Sequence, residues 1–275
     1  MRDVAFYLIH NNATDRIHLR TRIKNLANKL NIDVIEIHKQ KNYIKTKYTL
    51  KDKLKLSRIY FLRTFYNLKH KKEVSFYFYF LLLKSFIYLI SSTIKLFLKN
   101  KDDTIKTYQH FKIEEIVAQK HIKAWKHFLK SKKKIMVIFE DDAVCKEDSE
   151  IRLIDFFNKL KNFDFDNFFI DFAGGLDPND VIPKRKIKKS KYEFMIVKGL
   201  YTNTACSYLI NRKLVKKLYK EFQKSKLNYF FPIDHLINKL GLKINRTKNL
   251  NSIHIHNPLF THGSFKGNIK SWQIY

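Results

Sequence analysis

The feature that most constrains this chain is the apolar run of residues 135–139, which ends directly in Glu140, Asp141 and Asp142. A strand that is covered on both faces needs continuous apolar side chains, so the run predicts a central strand of a sheet. Three neighbouring carboxylates are costly to keep ionised unless a cation or a ligand dipole compensates their charge. The sequence therefore predicts an α/β sheet whose central strand ends at a cation or ligand site.

The spacing of the three acids separates their roles. Residues two apart on an extended chain point to the same side, so Glu140 and Asp142 are expected to face together while Asp141 faces away. Such a pair suits Mg²⁺ or Mn²⁺, which bind one or two carboxylates together with phosphate oxygens. A solvated turn after a core strand is the alternative interpretation of the triplet.

Composition limits the class of protein and its partners. The chain has 275 residues, 45% of them hydrophobic, which is typical of a folded protein with an ordinary core. Its net charge of +30 predicts attraction to polyanions such as nucleic acid, anionic lipid headgroups or phosphorylated glycans. The bias towards Lys, Asn, Ile, Phe and Tyr is also what an AT-rich genome would produce.

Cysteine content and the first residues suggest a compartment. Cys145 and Cys206 are the only cysteines, too few for a disulfide framework in a chain of this length. The opening residues form a short strand-like apolar run, without the length or cleavage site of a signal peptide. We therefore expect a cytoplasmic protein.

The first forty residues alternate between strand and helix patterns. Residues 4–9 are an apolar run and residues 34–37 resemble a second strand, while residues 15–30 place Ile23, Leu26 and Leu30 near helical spacing. Strand, helix, strand is the opening of an α/β nucleotide-binding layout. The first strand is not followed by a Gly-rich loop, which excludes the dinucleotide fingerprint and the P-loop.

Residues 41–106 differ in composition and are dense in basic and aromatic side chains. The stretch 74–98 has the length of a membrane span, but Lys84 lies near its middle, where a lysine costs about 2.5–3.5 kcal/mol. We expect one or two amphipathic helices, either packed on the domain or lying on a membrane surface. A second basic stretch, residues 181–191, is expected to be an exposed loop.

The second half returns to mixed patterns. Residues 113–129 predict a helix with His121, Trp125 and Phe128 on one face. Residues 168–172 predict a strand before the Gly-containing turn at 173–175, and residues 194–211 predict strand, turn, strand. Asp234 follows Pro232 and is expected either to cap a helix at 236–240 or to act chemically.

Four motifs in this order resemble glycosyltransferase family 25, the lipooligosaccharide and collagen galactosyltransferase-like group. They are the opening strand and turn at 7–16, the helix with Glu115, Ile116 and His121 that leads to the acidic triplet, the Thr-rich turn and strand at 201–210, and the Pro-Ile-Asp at 232–234. The resemblance covers residues 3–40 and 108–262. It departs from the family pattern at Gln119-Lys120, where a small hydrophobic residue and Ser are usual, and in the opening turn at 11–13.

The resemblance implies a fold and a set of ligands. It implies a GT-A-type, Rossmann-like mixed sheet flanked by helices, forming a single domain over 1–275 with the 41–106 stretch as a helical basic and aromatic insertion. It also implies a UDP-sugar donor and Mn²⁺ or Mg²⁺, with the acidic triplet in the role of the Asp-x-Asp motif. A metal there would neutralise charge that develops on the leaving phosphate.

Site residues follow from matching these positions. Asp142 is expected to be the principal metal ligand and Glu140 the second, with His254 or His256 completing the shell or having only a structural role. Asp141 is expected to contact the sugar nucleotide or to brace the turn, and Asp234 is the candidate base, with helix capping as its alternative role. The expected assignment is metal binding by Glu140, Asp142 and His256, donor binding by Arg16, Asp141, Thr202 and Asn203, and catalysis by Asp234.

The function implied is inverting, metal-dependent transfer of a sugar, with galactose expected, to a cell-surface glycan such as lipooligosaccharide. The basic stretches 41–106 and 184–189 are expected to hold the enzyme peripherally at the anionic inner face of the cytoplasmic membrane. The alternatives are a nucleic-acid-binding protein or metal-dependent phosphodiesterase, and a non-catalytic scaffold. The sequence lacks zinc-ligand spacing and recognisable nucleic-acid motifs, so nucleic acid is not the expected partner.

Overall fold

The computed structural model describes residues 3–38, 49–70, 101–146, 148–160, 168–174, 185–189, 192–202, 204–245, 250–255 and 257–263, with single helical positions at 83, 87, 90, 91 and 94. The predictions for Asn203 and His256 lie outside these described residues, as do most of those for 74–98.

Strands and helices follow one another along the chain, with β5 to β8 consecutive. The strands are β1 (Val4–His10), β2 (Asp33–His38), β3 (Ile135–Glu140), β4 (Ala143–Cys145), β5 (Phe168–Asp171), β6 (Arg185–Lys189), β7 (Tyr192–Lys198), β8 (Ser207–Asn211), β9 (Asn251–Ile255) and β10 (Phe260–His262). The α-helices are α1 (Ile17–Lys29), α2 (Leu50–His70), α3 (Lys101–Lys130), α4 (Ser149–Leu160), α5 (Arg212–Gln223) and α6 (Ile233–Asn245). Short 3₁₀ helices cover Thr14–Arg16 and Lys226–Phe230.

The main sheet is mixed, with strand order β2-β1-β3-β8-β5-β9-β7-β6. β1 is parallel to β2 and to β3, and β5 is parallel to β9. β8 is antiparallel to both β3 and β5, so these two run in the same direction. The carboxyl ends of β1, β2, β3, β5 and β9 therefore lie at one edge of the sheet, where ligands of open α/β sheets bind.

Helices cover both faces of this sheet, because alternate strand residues point to opposite sides. Phe6 and Phe139 belong to a core that includes residues of α1 and α4, and their rings meet edge to face with centroids 5.1 Å apart. On the other face, the ring of Tyr7 packs against Phe128 of α3. The expected fold class, a mixed α/β sheet flanked by helices, is confirmed.

The central strand is buried as its sequence predicts. Met136, Val137, Ile138 and Phe139 are all completely buried. Burying a large apolar side chain contributes about 1.5–3 kcal/mol, so this strand is a major source of the stability of the sheet. It also makes the position of Glu140 at its end rigid.

Arg212 joins the end of α3 to the start of α5. Its guanidinium donates to the backbone carbonyls of Phe128, Leu129, Ser131 and Lys133 at distances of 2.6–3.1 Å. A helix end leaves its last carbonyls without partners inside the helix, and one planar cation serves several of them here. Asn211 caps α5, since its Oδ1 accepts from the N–H of Leu214 at 2.9 Å.

The chain divides into two compact units, one of Met1–Gln40 and Ile116–Ser271 and the other of Lys41–Glu115 and Trp272–Tyr275. In the second unit, Thr49 and Asp52 form a capping box at the start of α2. Arg63 pairs with Glu114 at 2.6 Å. The single domain with a 41–106 insertion stays a prediction.

Two sequence expectations are wrong in local structure. The basic loop expected at 181–191 contains a strand, because Arg185–Lys189 pairs antiparallel with β7 at the edge of the sheet. Edge strands commonly contain lysine, which discourages pairing with another chain. The helix expected at 236–240 begins at Ile233, which places Asp234 inside its first turn.

None of the helices among the described residues combines the length and the apolar character that crossing a membrane requires. Four apolar side chains at helical positions, Leu83, Ile87, Ile90 and Ile94, are 45–59% exposed. Their spacing places them on one side of a helix.

Candidate functional site

Polar side chains collect at the carboxyl edge of the sheet. Glu140 ends β3 and Asp171 ends β5, while the turn after β3 carries Asp141 and Asp142. The parallel direction of these strands, rather than their separation in the sequence, brings the acids to the same edge.

The structure brings Glu140, Asp142 and His262 together, with one ligand atom of each lying within 4.8 Å of the others. Nε2 of His262 lies 3.5 Å from Oδ2 of Asp142. His262 reaches this place because β10 pairs antiparallel with β4, with His262 opposite Ala143. The Gly263 N–H also donates to the Asp142 carbonyl at 2.9 Å.

Sequence reasoning missed His262. A signal for it existed, since the apolar pair Leu259-Phe260 precedes it and both side chains are completely buried. A buried pair followed by alternating polar residues is typical of a short strand that ends at a site. The sequence alone does not show that the strand carrying His262 pairs with β4.

Burial dominates the electrostatics of Glu140. Desolvation and, after it, the neighbouring charge of Asp142 raise the pKa of this carboxyl to about 8, against the opposing influence of His262. A carboxyl in such surroundings gains strongly from a bound cation, because the cation stabilises the ionised form.

A buried chain of hydrogen bonds orients Glu140. Trp125 donates its indole N–H to the Tyr208 hydroxyl at 3.0 Å, and that hydroxyl lies 3.0 Å from Nδ1 of His121. Nε2 of His121 lies 2.9 Å from Oε1 of Glu140. The expected face of α3 with His121, Trp125 and Phe128 is thus confirmed, and all three are completely buried.

The positions of the protons in this chain of hydrogen bonds are assigned from its contacts and from the pKa of His121. Burial lowers the pKa of His121 to about 3, so its ring is neutral and carries one proton. The Tyr208 oxygen accepts from Trp125, and we assign its own proton to the bond with Nδ1 of His121. The ring proton is therefore assigned to Nε2, which donates to Glu140 and leaves the other carboxylate oxygen for a ligand.

Asp141 faces away from Glu140 and Asp142, as the strand geometry predicts. Its Oδ1 accepts from Nη1 of Arg16 at 2.8 Å, and both side chains are only 2% exposed. Burial raises the pKa of Asp141, and Arg16 opposes that shift. The two residues expected to contact the donor thus pair with each other and fix the loop after β1 against the turn after β3.

Asp171 is a second missed residue. Its carboxylate accepts from the Ala173 N–H at 2.9 Å and from the Thr202 hydroxyl at 2.8 Å. Burial raises its pKa to about 7, while these hydrogen bonds lower it and the charge of Asp234 raises it. A strand that ends in Asp before a Gly turn was the available sequence signal.

Thr202 lies beside this carboxylate and is held on its other side by α6. Oδ1 of Asn238 accepts from the Thr202 N–H at 2.9 Å, and Nδ2 of Asn238 donates to the Thr202 carbonyl at 2.8 Å. Asn238 lies one helical turn after Asp234, so the same face of α6 serves both residues.

Asp234 lies within electrostatic reach of the acidic edge. Its charge helps to raise the pKa values of Glu140 and Asp171, and it opposes the lowering of the pKa of His121. It is half-buried, and its Oδ1 accepts from the N–H of His235 at 2.8 Å. The structure thus brings this residue towards the edge from α6.

His254 lies apart from the metal-ligand group. Its Nδ1 is 3.9 Å from Oδ2 of Asp171, and its Nε2 is 3.2 Å from the hydroxyl of Ser252. Burial lowers its pKa to about 4, so the ring is neutral. The histidine that the described structure brings to Glu140 and Asp142 is His262.

Comparison with models of protein families gives a match over part of the chain. Residues 118–237 match the model of glycosyltransferase family 25, described as an LPS biosynthesis protein. The resemblance drawn from the motifs is therefore confirmed over this range, which includes His121, Glu140, Asp142, Thr202 and Asp234.

A comparison with curated proteins finds no match. Among solved structures, the chain is similar to a glycosyltransferase involved in the glycosylation of the major capsid of PBCV-1. That similarity has 9% sequence identity and a TM-score of 0.38, and it covers 94% of this chain and 91% of that one.

Proposed function

We propose that this chain, a family 25 glycosyltransferase sequence over residues 118–237, transfers a sugar from a UDP-sugar donor to a cell-surface glycan in a metal-dependent reaction. The sugar we propose is galactose, and the acceptor is a glycan such as lipooligosaccharide. The observation that carries this proposal is the convergence of Glu140, Asp142 and His262 at the end of the central strand.

The donor set fits a hard divalent cation. Two carboxylates and one imidazole are ligands that suit Mn²⁺, and the carboxylates alone suit Mg²⁺. Bound there, the ion would neutralise charge on the diphosphate of the donor. Glu140 keeps one oxygen for this purpose, because His121 holds the other at 2.9 Å.

Donor contacts are proposed for the loops around this edge. The buried pair of Arg16 and Asp141 fixes the backbone after β1 and β3, where the nucleotide would lie. Thr202, held by Asp171 and Asn238, fixes the turn that leads to β8, and Asn203 follows it. Arg16, Asp141, Thr202 and Asn203 remain the residues that we assign to donor binding.

Asp234 is the base that we propose for the acceptor hydroxyl. An inverting transfer needs a proton acceptor on the face of the sugar opposite to the leaving diphosphate. What supports this assignment is that Asp234 is half-buried and within electrostatic reach of Glu140, Asp171 and His121, at the edge of the sheet that carries the proposed metal ligands. His121, beneath Glu140, is neutral and does not compete for that proton.

We propose that the enzyme meets its acceptor at the inner face of the cytoplasmic membrane. Leu83, Ile87, Ile90 and Ile94 are exposed apolar residues on one side of a helix, within a stretch rich in lysine. Apolar residues that insert among headgroups and basic residues that attract anionic lipid act together in peripheral binding. The membrane site that we propose consists of these four residues and the basic 41–106 stretch around them.

Donor hydrolysis tests the transferase. The purified chain is given UDP-galactose and other UDP-sugars with Mn²⁺, Mg²⁺ or a chelator, and release of UDP is measured for wild type, Asp142→Asn and His262→Gln. We expect hydrolysis that needs the metal and falls at least a hundredfold in Asp142→Asn (about 2.7 kcal/mol). Asp148→Asn is the control, because Asp148 is an exposed acid that follows β3 and β4 in the sequence. Hydrolysis that ignores both the chelator and Asp142→Asn would refute the site.

Vesicle flotation tests the membrane site. We expect the chain to bind vesicles containing phosphatidylglycerol, and the double variant Ile87→Ser/Ile90→Ser to bind at least tenfold more weakly. Ile151→Ser changes an even more exposed apolar residue, 74% exposed on α4, and should bind as wild type. Equal binding by wild type and the double variant would refute this surface.

A further inference from the structure

A groove lies between α3, α5 and the 3₁₀ helix Lys226–Phe230, with a cavity volume of about 680 Å³. Its size is that of a pocket for a small ligand, which typically measures about 300–1,000 Å³. Nothing in the transferase site described above uses these residues.

The walls of the groove carry positive charge. Lys123 and Lys126 of α3 and Lys226 of the 3₁₀ helix line it, and all three are exposed. Acidic residues are absent from the described lining, which otherwise consists of amide, hydroxyl, aromatic and aliphatic side chains. Such a surface attracts an anion, and its lysines bind phosphate as point charges.

Aromatic rings line the same groove in fixed positions. Tyr229, 39% exposed, meets the buried ring of Phe222 edge to face, with centroids 4.8 Å apart. Tyr219 stacks on Phe222 from the other side, with centroids 6.4 Å apart. Amphipathic rings held in this way offer a flat apolar face with a hydroxyl at its end, which suits the apolar face and hydroxyl rim of a sugar ring.

The turn that presents Tyr229 is rigid. Nδ2 of Asn228, a completely buried residue, donates to the Phe222 carbonyl at 2.7 Å. The Ser225 hydroxyl accepts from the Leu227 N–H at 3.2 Å and caps the 3₁₀ helix. A ligand would therefore meet a preformed wall and lose little free energy to ordering it.

Along the chain, both walls of the groove continue into residues of the acidic edge. Gln119, at one end of its lining, directly precedes Lys120 and His121, which contact the His10 carbonyl at 2.6 Å and Glu140 at 2.9 Å. On the opposite wall, the chain passes from Tyr229 to Asp234 through the buried residues Phe231 and Ile233. Both walls thus lead to residues of the transferase site.

We infer that this groove binds the acceptor, a short glycan that carries phosphate. The phosphate lies against Lys123, Lys126 and Lys226, and sugar rings lie against Tyr219 and Tyr229. This inference rests on the proposed transferase function. A nucleic-acid strand is the less favoured occupant, because the groove has the volume of a small ligand.

Binding of a defined probe tests the groove. Isothermal titration calorimetry compares pentamannose phosphate, the same glycan after phosphatase treatment, and a single-stranded decathymidylate. The groove variant is Lys123→Glu/Lys126→Glu. Its matched control is Lys216→Glu/Lys220→Glu, which changes the net charge equally at exposed lysines of α5 outside the groove. Tyr229→Ala, checked for folding by circular dichroism, tests the aromatic wall.

We expect the groove variant to bind pentamannose phosphate at least tenfold more weakly and the control to change by less than about twofold. The dephosphorylated glycan should bind wild type more weakly and lose affinity in Tyr229→Ala. Equal losses in both lysine pairs would overturn the inference, since they would reflect net charge alone. Tighter binding of decathymidylate that is lost in the groove variant would also overturn it, in favour of nucleic acid.

Donor hydrolysis by the same preparations separates this inference from the function on which it rests. The groove variant should hydrolyse the UDP-sugar as fast as wild type, because the altered lysines do not contact the acidic edge. Hydrolysis by wild type without selective glycan binding would overturn the groove alone. Selective glycan binding without metal-dependent hydrolysis would instead overturn the transferase.

Discussion

Replacing Tyr208 with Phe should test the buried chain that orients Glu140. The hydroxyl accepts from Trp125 at 3.0 Å and donates to His121 at 3.0 Å, and all three side chains are completely buried. Its removal leaves an indole N–H and an imidazole nitrogen buried without this partner, and each such group costs about 1–3 kcal/mol. The ring remains, so little cavity forms. We expect the free energy of unfolding to fall by about 3 kcal/mol.

The same change should weaken metal binding, because His121 loses the contact that fixes its ring. Loss of a residue that orients a ligand typically costs about 10–100-fold in metal affinity. We therefore expect the Mn²⁺ dissociation constant, measured by electron paramagnetic resonance under conditions where the variant is fully folded, to rise about tenfold.

Urea unfolding followed by circular dichroism gives the stability of wild type, Tyr208→Phe and Tyr229→Phe. The exposed Tyr229 supplies the control, and its variant should differ by less than about 0.5 kcal/mol. A loss below about 1 kcal/mol in Tyr208→Phe would refute the buried chain as the structure describes it. A loss of stability with unchanged Mn²⁺ affinity would refute its role in orienting Glu140.

Three further predictions concern the fold around the site. Burial raises the pKa of Asp171 to about 7, so the folded state binds this proton more tightly than the unfolded state, and stability should fall by a few kcal/mol as the pH rises from about 4 to about 7. Asp171→Asn should flatten that dependence in unfolding measured at several pH values. Arg212→Met should lower the free energy of unfolding by about 3 kcal/mol, and Arg212→Lys should recover less than half, because an ammonium does not span the carbonyls at the end of α3. Gly241→Ala should lower the melting temperature although Ala favours helix, because its Cβ would lie 2.5 Å from Cβ of Leu200.

Each of these has a result that contradicts it. A parallel pH dependence in wild type and Asp171→Asn would mean that another group carries the titration. Full recovery of stability by Arg212→Lys would mean that charge alone, rather than the planar fork, holds the end of α3. A melting temperature that rises in Gly241→Ala would mean that helix propensity outweighs the contact with Leu200.

Local patterns predicted the sheet better than they predicted its edges. The buried strand β3 and the helix face of His121, Trp125 and Phe128 follow from apolar periodicity, which depends only on neighbours in the sequence. The segment Arg185–Lys189 is expected to be a loop from its sequence, because it is rich in lysine. It forms a strand by pairing with β7, and that pairing is not evident from its own residues. Periodicity detects buried faces, and this strand lies at the edge of the sheet.

The site was predicted where it is contiguous in sequence and missed where it depends on long-range pairing. Glu140 and Asp142 stand together after one strand, so their convergence followed from strand geometry. His262 arrives through the pairing of β10 with β4, and Asp171 through β5, which lies beyond the antiparallel β8. Contacts of that kind depend on strand order, which a single sequence does not reveal.

The charges at the acidic edge favour a cation bound from solution, rather than lysine side chains alone, as the partner of the donor diphosphate. Arg16 is engaged by Asp141 at 2.8 Å, and Lys120 donates to the His10 carbonyl at 2.6 Å, so these two cations among the described residues already serve the loops beside the site. Burial lowers the pKa of Lys120 to about 8, which further weakens it as a permanent charge. A diphosphate approaching Glu140 and Asp142 would meet repulsion that these groups do not offset. The net charge of +30 therefore serves the acceptor and the membrane in our proposal, while the donor depends on the metal.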